Sequence, residues 1–145
     1  MIRKSMTEWL GDGPNGSGSL STESGALRAQ PYSFKARFQS GQDSKAVTNP
    51  EELLGAAHAS CFAMTVAFIL TEAGHAPKRL KVTAAVDISK VGAGFAITSI
   101  ALDLEAQVEG LPIEKFRTLT EAAKTNCPVS KALSATPIPL TARLV

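Results

Sequence analysis

The longest uncharged segment of the chain is residues 53–71, and its two ends carry signals that start and stop a helix. Before it, Asn49 can act as the N-cap, Pro50 suits the first helical position, and Glu52 completes a capping-box spacing. After it, a glycine is followed three residues later by a proline, a combination that ends helices. The pattern predicts a helix over residues 50–73 that is apolar almost all round. Such a helix needs cover on most of its sides, part of which a second subunit could supply.

Shorter segments on both sides of this helix alternate between apolar and polar residues or are bounded by turn residues. In the third of them the alternation places Arg37 on the polar face of a predicted strand. The predicted strands are residues 1–11, 17–23, 32–38, 80–90, 95–108 and 137–144, with a polar loop over residues 41–45, a hairpin turn over residues 91–94, an amphipathic helix over residues 112–125 and a short helix over residues 127–133. The element order βββ-α-ββ-αα-β predicts one α+β domain over residues 1–145 with mainly antiparallel sheets.

Composition and charge narrow the class of protein. Hydrophobic residues make up 44% of the chain and charged residues 19%, which is enough for a packed core and too little charge for disorder. The net charge is only +2 and the basic residues are scattered, so nucleic-acid binding is not expected.

Residues 53–71 are also long enough to cross a membrane. They contain His58 and Ser60 and directly follow Glu51 and Glu52, so we interpret them as a fully buried core helix instead. The first residues of the chain show no secretory-signal pattern. We therefore expect a cytoplasmic protein with no membrane partner.

Two cysteines carry the candidate chemistry. Cys61 lies inside the apolar helix, and Cys127 opens the short helix that follows it along the chain. Because a thiol reacts as its thiolate, the surroundings of each sulfur decide its reactivity. Unpaired N–H groups at a helix N-terminus should lower the pKa of Cys127, whereas burial should raise the pKa of Cys61 unless a cation such as Arg37 lies near it. Such a pair fits one thiol that attacks a peroxide and becomes a sulfenic acid, and a second that closes a disulfide with it.

Other interpretations of these residues stay open. Cys61 can be an ordinary small core residue, and His58 can be a packed or hydrogen-bonded helix residue. Cys61, Cys127, His58 and His75 together are enough donors for zinc, although none of their spacings is a compact metal-binding knuckle. Ser60 lies in no Gly-x-Ser-x-Gly elbow, which argues against serine hydrolysis.

Several segments of the chain resemble the OsmC/Ohr family. The specific features are a proline–glutamate helix start, the stretch around the first cysteine, and the Asn-Cys-Pro-Val-Ser stretch around the second. The similarity extends from about Trp9 to Leu144. It favours the OsmC branch, since the arginine motif of the Ohr branch, nearer the N-terminus, is absent here. The matching segments are residues 21–25, 30–32, 37–38, 48–53, 56–62, 93–98 and 126–130.

The resemblance implies a cysteine-based peroxidase that acts on organic hydroperoxides and more weakly on hydrogen peroxide. It implies an intertwined homodimer with active sites at the subunit interface, no cofactor or metal, and a dithiol or a lipoylated protein as reductant. The family's attacking cysteine corresponds to Cys61, its resolving cysteine to Cys127, its arginine to Arg37 and its glutamate to Glu51. We follow the resemblance over the acidity inferred from helix position, because an Arg37–Cys61 ion pair can outweigh a helix dipole worth about 0.3–1 kcal/mol. The alternative from another class is a non-enzymatic lipid-binding or redox-sensing protein.

The position of Glu51 raises a geometric question. Glu51 and Cys61 belong to the same predicted helix, and at 1.5 Å per residue their backbones lie about 15 Å apart along its axis. Either the helix breaks between them, with Gly55 as the best candidate, or Glu51 of one subunit serves the Cys61 of the other. We favour the second arrangement, in which Glu51 holds Arg37 through a bidentate pair.

Overall fold

The computed structural model describes residues 1–38 and 47–145, within which residues Met1–Leu53 and Leu54–Val145 form two separate units. The predicted loop over residues 41–45 lies outside the described residues. The first unit contains strands β1 (Ser5–Leu10), β2 (Ser17–Thr22) and β3 (Gln30–Ser33), paired antiparallel in the order β1-β2-β3. The first two strands were predicted. All residues of β1 are exposed, and its Trp9 contacts Tyr32 of β3, with ring centroids 5.5 Å apart.

The third predicted strand is mostly wrong, because β3 ends at Ser33 and is followed by a short helix, α1 (Phe34–Phe38). The Ser33 hydroxyl caps this helix by accepting a hydrogen bond of 3.1 Å from the amide of Ala36. The rings of Phe34 and Phe38 lie 4.8 Å apart, the spacing of a helical i, i+4 pair. Apolar residues four apart satisfy both the strand period and the helix period. Arg37 therefore lies on α1 and not on the polar face of a strand.

The long helix α2 (Pro50–Glu72) confirms the predicted start and stop signals. The Asn49 side chain accepts a hydrogen bond of 2.8 Å from the amide of Glu52, which makes Asn49 the N-cap. At the other end Gly74 has a φ of 82°, and the amide of His75 bonds to the carbonyl of Leu70, which closes the last turn. The helix does not break at Gly55. A Cβ there would lie 3.2 Å from the carbonyl oxygen of Ala84, so glycine allows the helix to pack closely against that segment.

Only one face of α2 is buried, so the interpretation of a fully buried helix is wrong for the single chain. His58, Phe62, Val66 and Leu70 recur every fourth residue and are at most 1% exposed. On another face Met64 is 59% exposed and Phe68 is 70% exposed. By length and composition α2 is also apolar enough to cross a membrane, a test that the core helix of a soluble protein passes as well.

The second unit contains a sheet in the order β4-β5-β6 and two helices. The hairpin of β4 (Arg79–Val91) and β5 (Gly94–Gln107) was predicted. The last strand, β6 (Leu140–Leu144), pairs parallel to β5 at the edge of the sheet. Pro137 and Pro139 precede it, and their carbonyls accept hydrogen bonds from β5, as prolines at a strand start can.

Helices α3 (Ile113–Asn126) and α4 (Pro128–Ala132) were also predicted. They join α2 and the sheet around one hydrophobic core. Burial of each large apolar side chain in this core stabilises the fold by roughly 1.5–3 kcal/mol. The core consists of Phe62, Val66, Leu70, Leu102, Leu104, Ala106, Leu111, Phe116, Ala123 and Cys127.

Candidate functional site

The two cysteines, distant in sequence, lie side by side in the second unit. Their Sγ atoms are 3.0 Å apart, and both are free thiols. Cys61 comes from the middle of α2, and Cys127 from the joint between α3 and α4. The Cys127 amide donates to the carbonyl of Ala123 and ends α3, whereas its own carbonyl accepts from Lys131 and begins α4. Pro128 suits the first position of the new helix, so the local sequence places Cys127 at this corner.

The two sulfurs differ in access to solvent. Cys127 is 0% exposed and belongs to the hydrophobic core, whereas Cys61 is partly exposed at its edge. A molecule that arrives from solution can therefore reach the sulfur of Cys61 and not that of Cys127.

The two thiols also differ in acidity, in the direction that their helix positions alone indicate and not in the direction that the family resemblance favours. Burial by itself raises the pKa of Cys127, but hydrogen bonds from the Cys61 thiol, from the Ser130 amide and hydroxyl and from the Val129 amide together hold that pKa below its ordinary value. The two amides belong to the first turn of α4, where N–H groups have no partner within the helix. Burial and the neighbouring Cys127 raise the pKa of Cys61, against smaller opposing hydrogen bonds from Val129 and Thr65. In the single chain, the buried sulfur is the more acidic one.

A buried hydrogen bond lies behind the thiol pair. His58 Nε2 is 2.8 Å from the Ser130 hydroxyl oxygen, and both residues are buried. Burial lowers the pKa of His58, so the imidazole is neutral. From the sequence His58 could be a packed or a hydrogen-bonded helix residue, and Ser130 was not identified as its partner. The one available signal was that Ser130 ends the segment around the second cysteine that resembles the family.

The other open interpretations find no support in this geometry. The four possible zinc donors do not converge, and no metal-binding group of three or more His, Cys, Asp or Glu occurs in residues 1–38 and 47–145. His75 instead lies 3.2 Å from the ammonium of Lys115. The Ser60 hydroxyl donates to the carbonyl of Ala57 on its own helix, which is an ordinary contact for a helical serine.

The two charged candidates form a pair within the first unit. Arg37 on α1 meets Glu51 in the first turn of α2, with Nη2 2.6 Å and Nε 3.1 Å from Oε1. Arg37 Nε also lies 3.1 Å from Oε2, so the fork of the guanidinium contacts both carboxylate oxygens. Glu51 is buried, whereas the Arg37 side chain is 35% exposed. The guanidinium lies 4.9 Å from the centroid of the Phe38 ring, a cation–π contact that further orients it.

Comparisons with known proteins identify the family. The family model described as OsmC-like protein matches residues 41–143. The chain is 47% identical over 133 residues to the peroxiredoxin OsmC of Escherichia coli, which covers 92% of this chain and 90% of that protein.

Solved structures share the fold. An OsmC-like protein of unknown function from Vibrio cholerae superposes with a TM-score of 0.80 at 14% identity, over 99% of each chain. An organic hydroperoxide resistance protein from Elizabethkingia anophelis, with thiocyanate bound, superposes with a TM-score of 0.73 at 25% identity. That match covers 100% of this chain and 99% of the other.

Proposed function

This chain belongs to the OsmC-like protein family, and on that premise we propose that it is a cysteine-based peroxidase that reduces organic hydroperoxides and, more weakly, hydrogen peroxide. The observation that carries the proposal is the pair of free thiols 3.0 Å apart, one reachable from solvent and one buried. The relatives support it by name, since one is a peroxiredoxin and another an organic hydroperoxide resistance protein.

The first step takes place at Cys61, because it is the accessible sulfur. Its thiolate attacks the terminal peroxide oxygen, the O–O bond breaks, and the departing alkoxide takes up a proton to become an alcohol. Cys61 is thereby oxidised by two electrons to a sulfenic acid. The partly apolar setting of this sulfur suits a hydroperoxide with an organic tail.

The second step joins the two sulfurs. The Cys127 thiolate attacks the sulfenic sulfur of Cys61, the S–O bond breaks, and the departing hydroxide takes up a proton to leave as water. The short separation of the Sγ atoms requires little backbone movement for this reaction. A dithiol or a lipoylated protein then reduces the Cys61–Cys127 disulfide through a mixed disulfide and returns both thiols.

Arg37 and Glu51 act on Cys61 in this proposal. A thiol whose pKa is raised by burial needs a neighbouring cation to react as a thiolate at neutral pH, and Arg37, oriented by Glu51, supplies it. Because α2 is unbroken through Gly55, the proposed arrangement is a homodimer in which the Arg37–Glu51 pair of one subunit serves the partner subunit's Cys61. The exposed side chains of Met64 and Phe68 support a homodimer, since large exposed apolar residues on one helix mark interaction surfaces.

Sustained turnover tests the proposal against a redox sensor or a lipid-binding protein. The purified protein is mixed with an excess of cumene hydroperoxide and dithiothreitol, and peroxide consumption is followed over time. A peroxidase consumes many equivalents per subunit, and faster with the organic peroxide than with hydrogen peroxide. Consumption of a single equivalent followed by none would contradict the proposal and favour a sensor. If the protein binds cumene hydroperoxide without consuming it, the lipid-binding alternative is favoured.

A further inference from the structure

The buried histidine behind the thiol pair has one satisfied and one unsatisfied ring nitrogen. Nε2 of His58 contacts the Ser130 hydroxyl at 2.8 Å, whereas Nδ1 is buried without a hydrogen-bond partner among the described residues. His58 is 0% exposed and Ser130 6% exposed, so no bulk water mediates this contact. The proposed peroxidase chemistry assigns no task to either residue.

Ser130 links the His58–Ser130 contact to Cys127. Ser130 lies three residues after Cys127 in the first turn of α4, which brings the two side chains to the same face. The side chains that hydrogen-bond to Cys127 Sγ are the Cys61 thiol, 3.0 Å away, and the Ser130 hydroxyl. The Ser130 hydroxyl is therefore the polar group between His58 and the resolving sulfur.

The hydrogen on His58 belongs on Nε2. If Nδ1 carried it, a buried N–H donor would have no partner, and such orphan donors are rarer in proteins than orphan acceptors. With the hydrogen on Nε2, His58 donates to the Ser130 oxygen and the hydroxyl hydrogen of Ser130 is free to point at Cys127 Sγ. The opposite tautomer would draw that hydrogen to His58 and leave the sulfur without it.

We propose that His58 is a positioning residue that orients the Ser130 hydroxyl hydrogen toward Cys127 Sγ, so that Cys127 attacks as a thiolate when the disulfide closes. This inference rests on the proposed two-cysteine function and adds two residues to its second step. The hydrogen bond from Ser130 stabilises the charge on sulfur before the reaction and uses no additional reactant. The attack itself is the step already balanced above, with hydroxide leaving Cys61 and taking up a proton to form water.

Other charged groups near Cys127 do not account for the same effect. Lys124 on α3 is held by Glu121 at 2.8 Å, and Lys131 on α4 is exposed. The strands contribute only apolar residues to the core around Cys127. Up to the β-bulge after Asp87 their charged residues alternate with these and project from the opposite sheet face: Arg79, Lys81, Asp87, Asp103, Glu105 and Arg143. Lys90 lies beyond the bulge, next to the hairpin turn, and is exposed.

The first test measures Cys127 alone and needs no peroxide. In a Cys61→Ser background, thiolate absorbance is titrated against pH with Ser130 intact, with Ser130→Ala and with Ser130→Thr. We expect the Cys127 titration to move to higher pH in Ser130→Ala and to return toward the starting curve in Ser130→Thr, which keeps the hydroxyl. Ser134→Ala, an exposed serine on the next turn, is the matched control and should change nothing. An unchanged curve for Ser130→Ala would overturn the proposal, even if the protein proved not to be a peroxidase.

The second test separates the two steps in the chain with both cysteines. After one equivalent of hydroperoxide, Ser130→Ala should form the Cys61 sulfenic acid at the wild-type rate. It should close the disulfide about tenfold more slowly at pH 7, because one pH unit in the thiolate titration is a factor of ten in its population. The deficit should shrink as the pH rises. A slower first step with normal closure would contradict the proposal.

The third test concerns the histidine and also covers the case in which Ser130→Ala does not fold. His58→Phe fills the same buried site without a donor, whereas His58→Gln keeps an N–H that can reach Ser130. Closure should slow in His58→Phe and recover in part in His58→Gln, while His75→Gln serves as the control. Nitrogen-15 shifts of the wild-type imidazole should show hydrogen on Nε2. Hydrogen on Nδ1, or equal closure rates in the two His58 variants, would overturn the proposal.

Discussion

The surroundings of Cys61 and Cys127 show how one residue type acquires two reactivities within a single core. Cys61 projects from the middle of a long helix, where the helix itself uses the backbone N–H groups. Cys127 stands before a five-residue helix whose first amides have no helical partner. The first sulfur is partly exposed with a raised pKa, and the second is fully buried with a lowered pKa.

In the single chain, the sulfur that is partly exposed to solvent is not the one whose thiolate is stabilised by hydrogen bonds. Burial alone raises the pKa of either thiol, so the lowered pKa of Cys127 shows that local hydrogen bonds outweigh desolvation there. Cys61 has access to a peroxide but lacks that support within its own helix. In the proposed mechanism it receives charge stabilisation from Arg37, whereas Cys127 receives it from backbone amides and Ser130. Each sulfur then needs a different partner for a different step.

The proposed roles of the two sulfurs are wrong if Cys61 is not the attacking one. Cys61→Ser should reduce peroxide turnover by at least about 10³-fold, because a serine hydroxyl is not ionised near neutral pH and is a far weaker nucleophile. Circular dichroism should show an unchanged fold, since the substitution alters one atom at a partly exposed position. Turnover near the wild-type level, or oxidation that begins at Cys127, would reverse the assignment of the two sulfurs.

The role of the buried sulfur is tested by Cys127→Ser. One equivalent of hydroperoxide should still oxidise Cys61, but no internal disulfide can form, so Cys61 should stop at sulfenic acid or proceed to sulfinic acid. Intact-mass spectrometry distinguishes these products from the wild-type loss of two hydrogens. If the wild-type protein forms no Cys61–Cys127 disulfide under the same conditions, Cys127 is not the resolving cysteine.

The source of charge stabilisation at Cys61 is tested by Arg37. Arg37→Ala should slow the attack on peroxide about tenfold or more at pH 7, because an adjacent cation lowers a thiol pKa. Arg37→Lys should recover only part of the rate, since a lysine cannot form the two-pronged contact with Glu51. The deficit should diminish at higher pH, where the thiol ionises without help. A thiolate titration of Cys61 that is identical in wild type and Arg37→Ala would remove Arg37 from the site.

The smallest expected effect decides how subunits share the site. Mixed dimers are prepared from Glu51→Ala chains and Cys61→Ser chains, each inactive as its own homodimer. If Glu51 of one subunit serves the partner subunit's Cys61, each mixed dimer has one complete site and should show about half of the wild-type activity, by the additivity of independent sites. If the residues act within one subunit, the mixed dimer has no complete site and should be inactive.

Local signals explain which parts of the fold the sequence predicted well. The bounds of α2 followed from Asn49, Pro50 and Gly74, because capping depends on residues within one turn of the helix end. The hairpin and both later helices followed from turn residues and apolar spacing in the same way. The segment around Arg37 was mistaken for a strand because Phe34 and Phe38 fit both periods, and the deciding contact was the Ser33 cap.

In the candidate site, too, the sequence predicted local features and did not predict contacts between distant segments. The sequence identified Cys61 and Cys127 as the candidate sulfurs, but it ranked their acidity one way from helix position and the other way from the family resemblance. It left open which other side chains touch them. Ser130 and His58 meet at 2.8 Å although they belong to helices far apart in the chain, and nothing in their spacing predicts that contact.

By itself, then, the amino-acid sequence determined the long helix and the two helices that follow the hairpin, most strands, the two candidate cysteines and the family. Propensity, capping and motif all act over a few neighbouring residues. Only the tertiary structure decided that the two sulfurs lie 3.0 Å apart, that one is buried and one partly exposed, and that His58 contacts Ser130 behind them. These properties depend on how distant helices pack around a common core, and packing is a sum over contacts that no single segment of the chain contains.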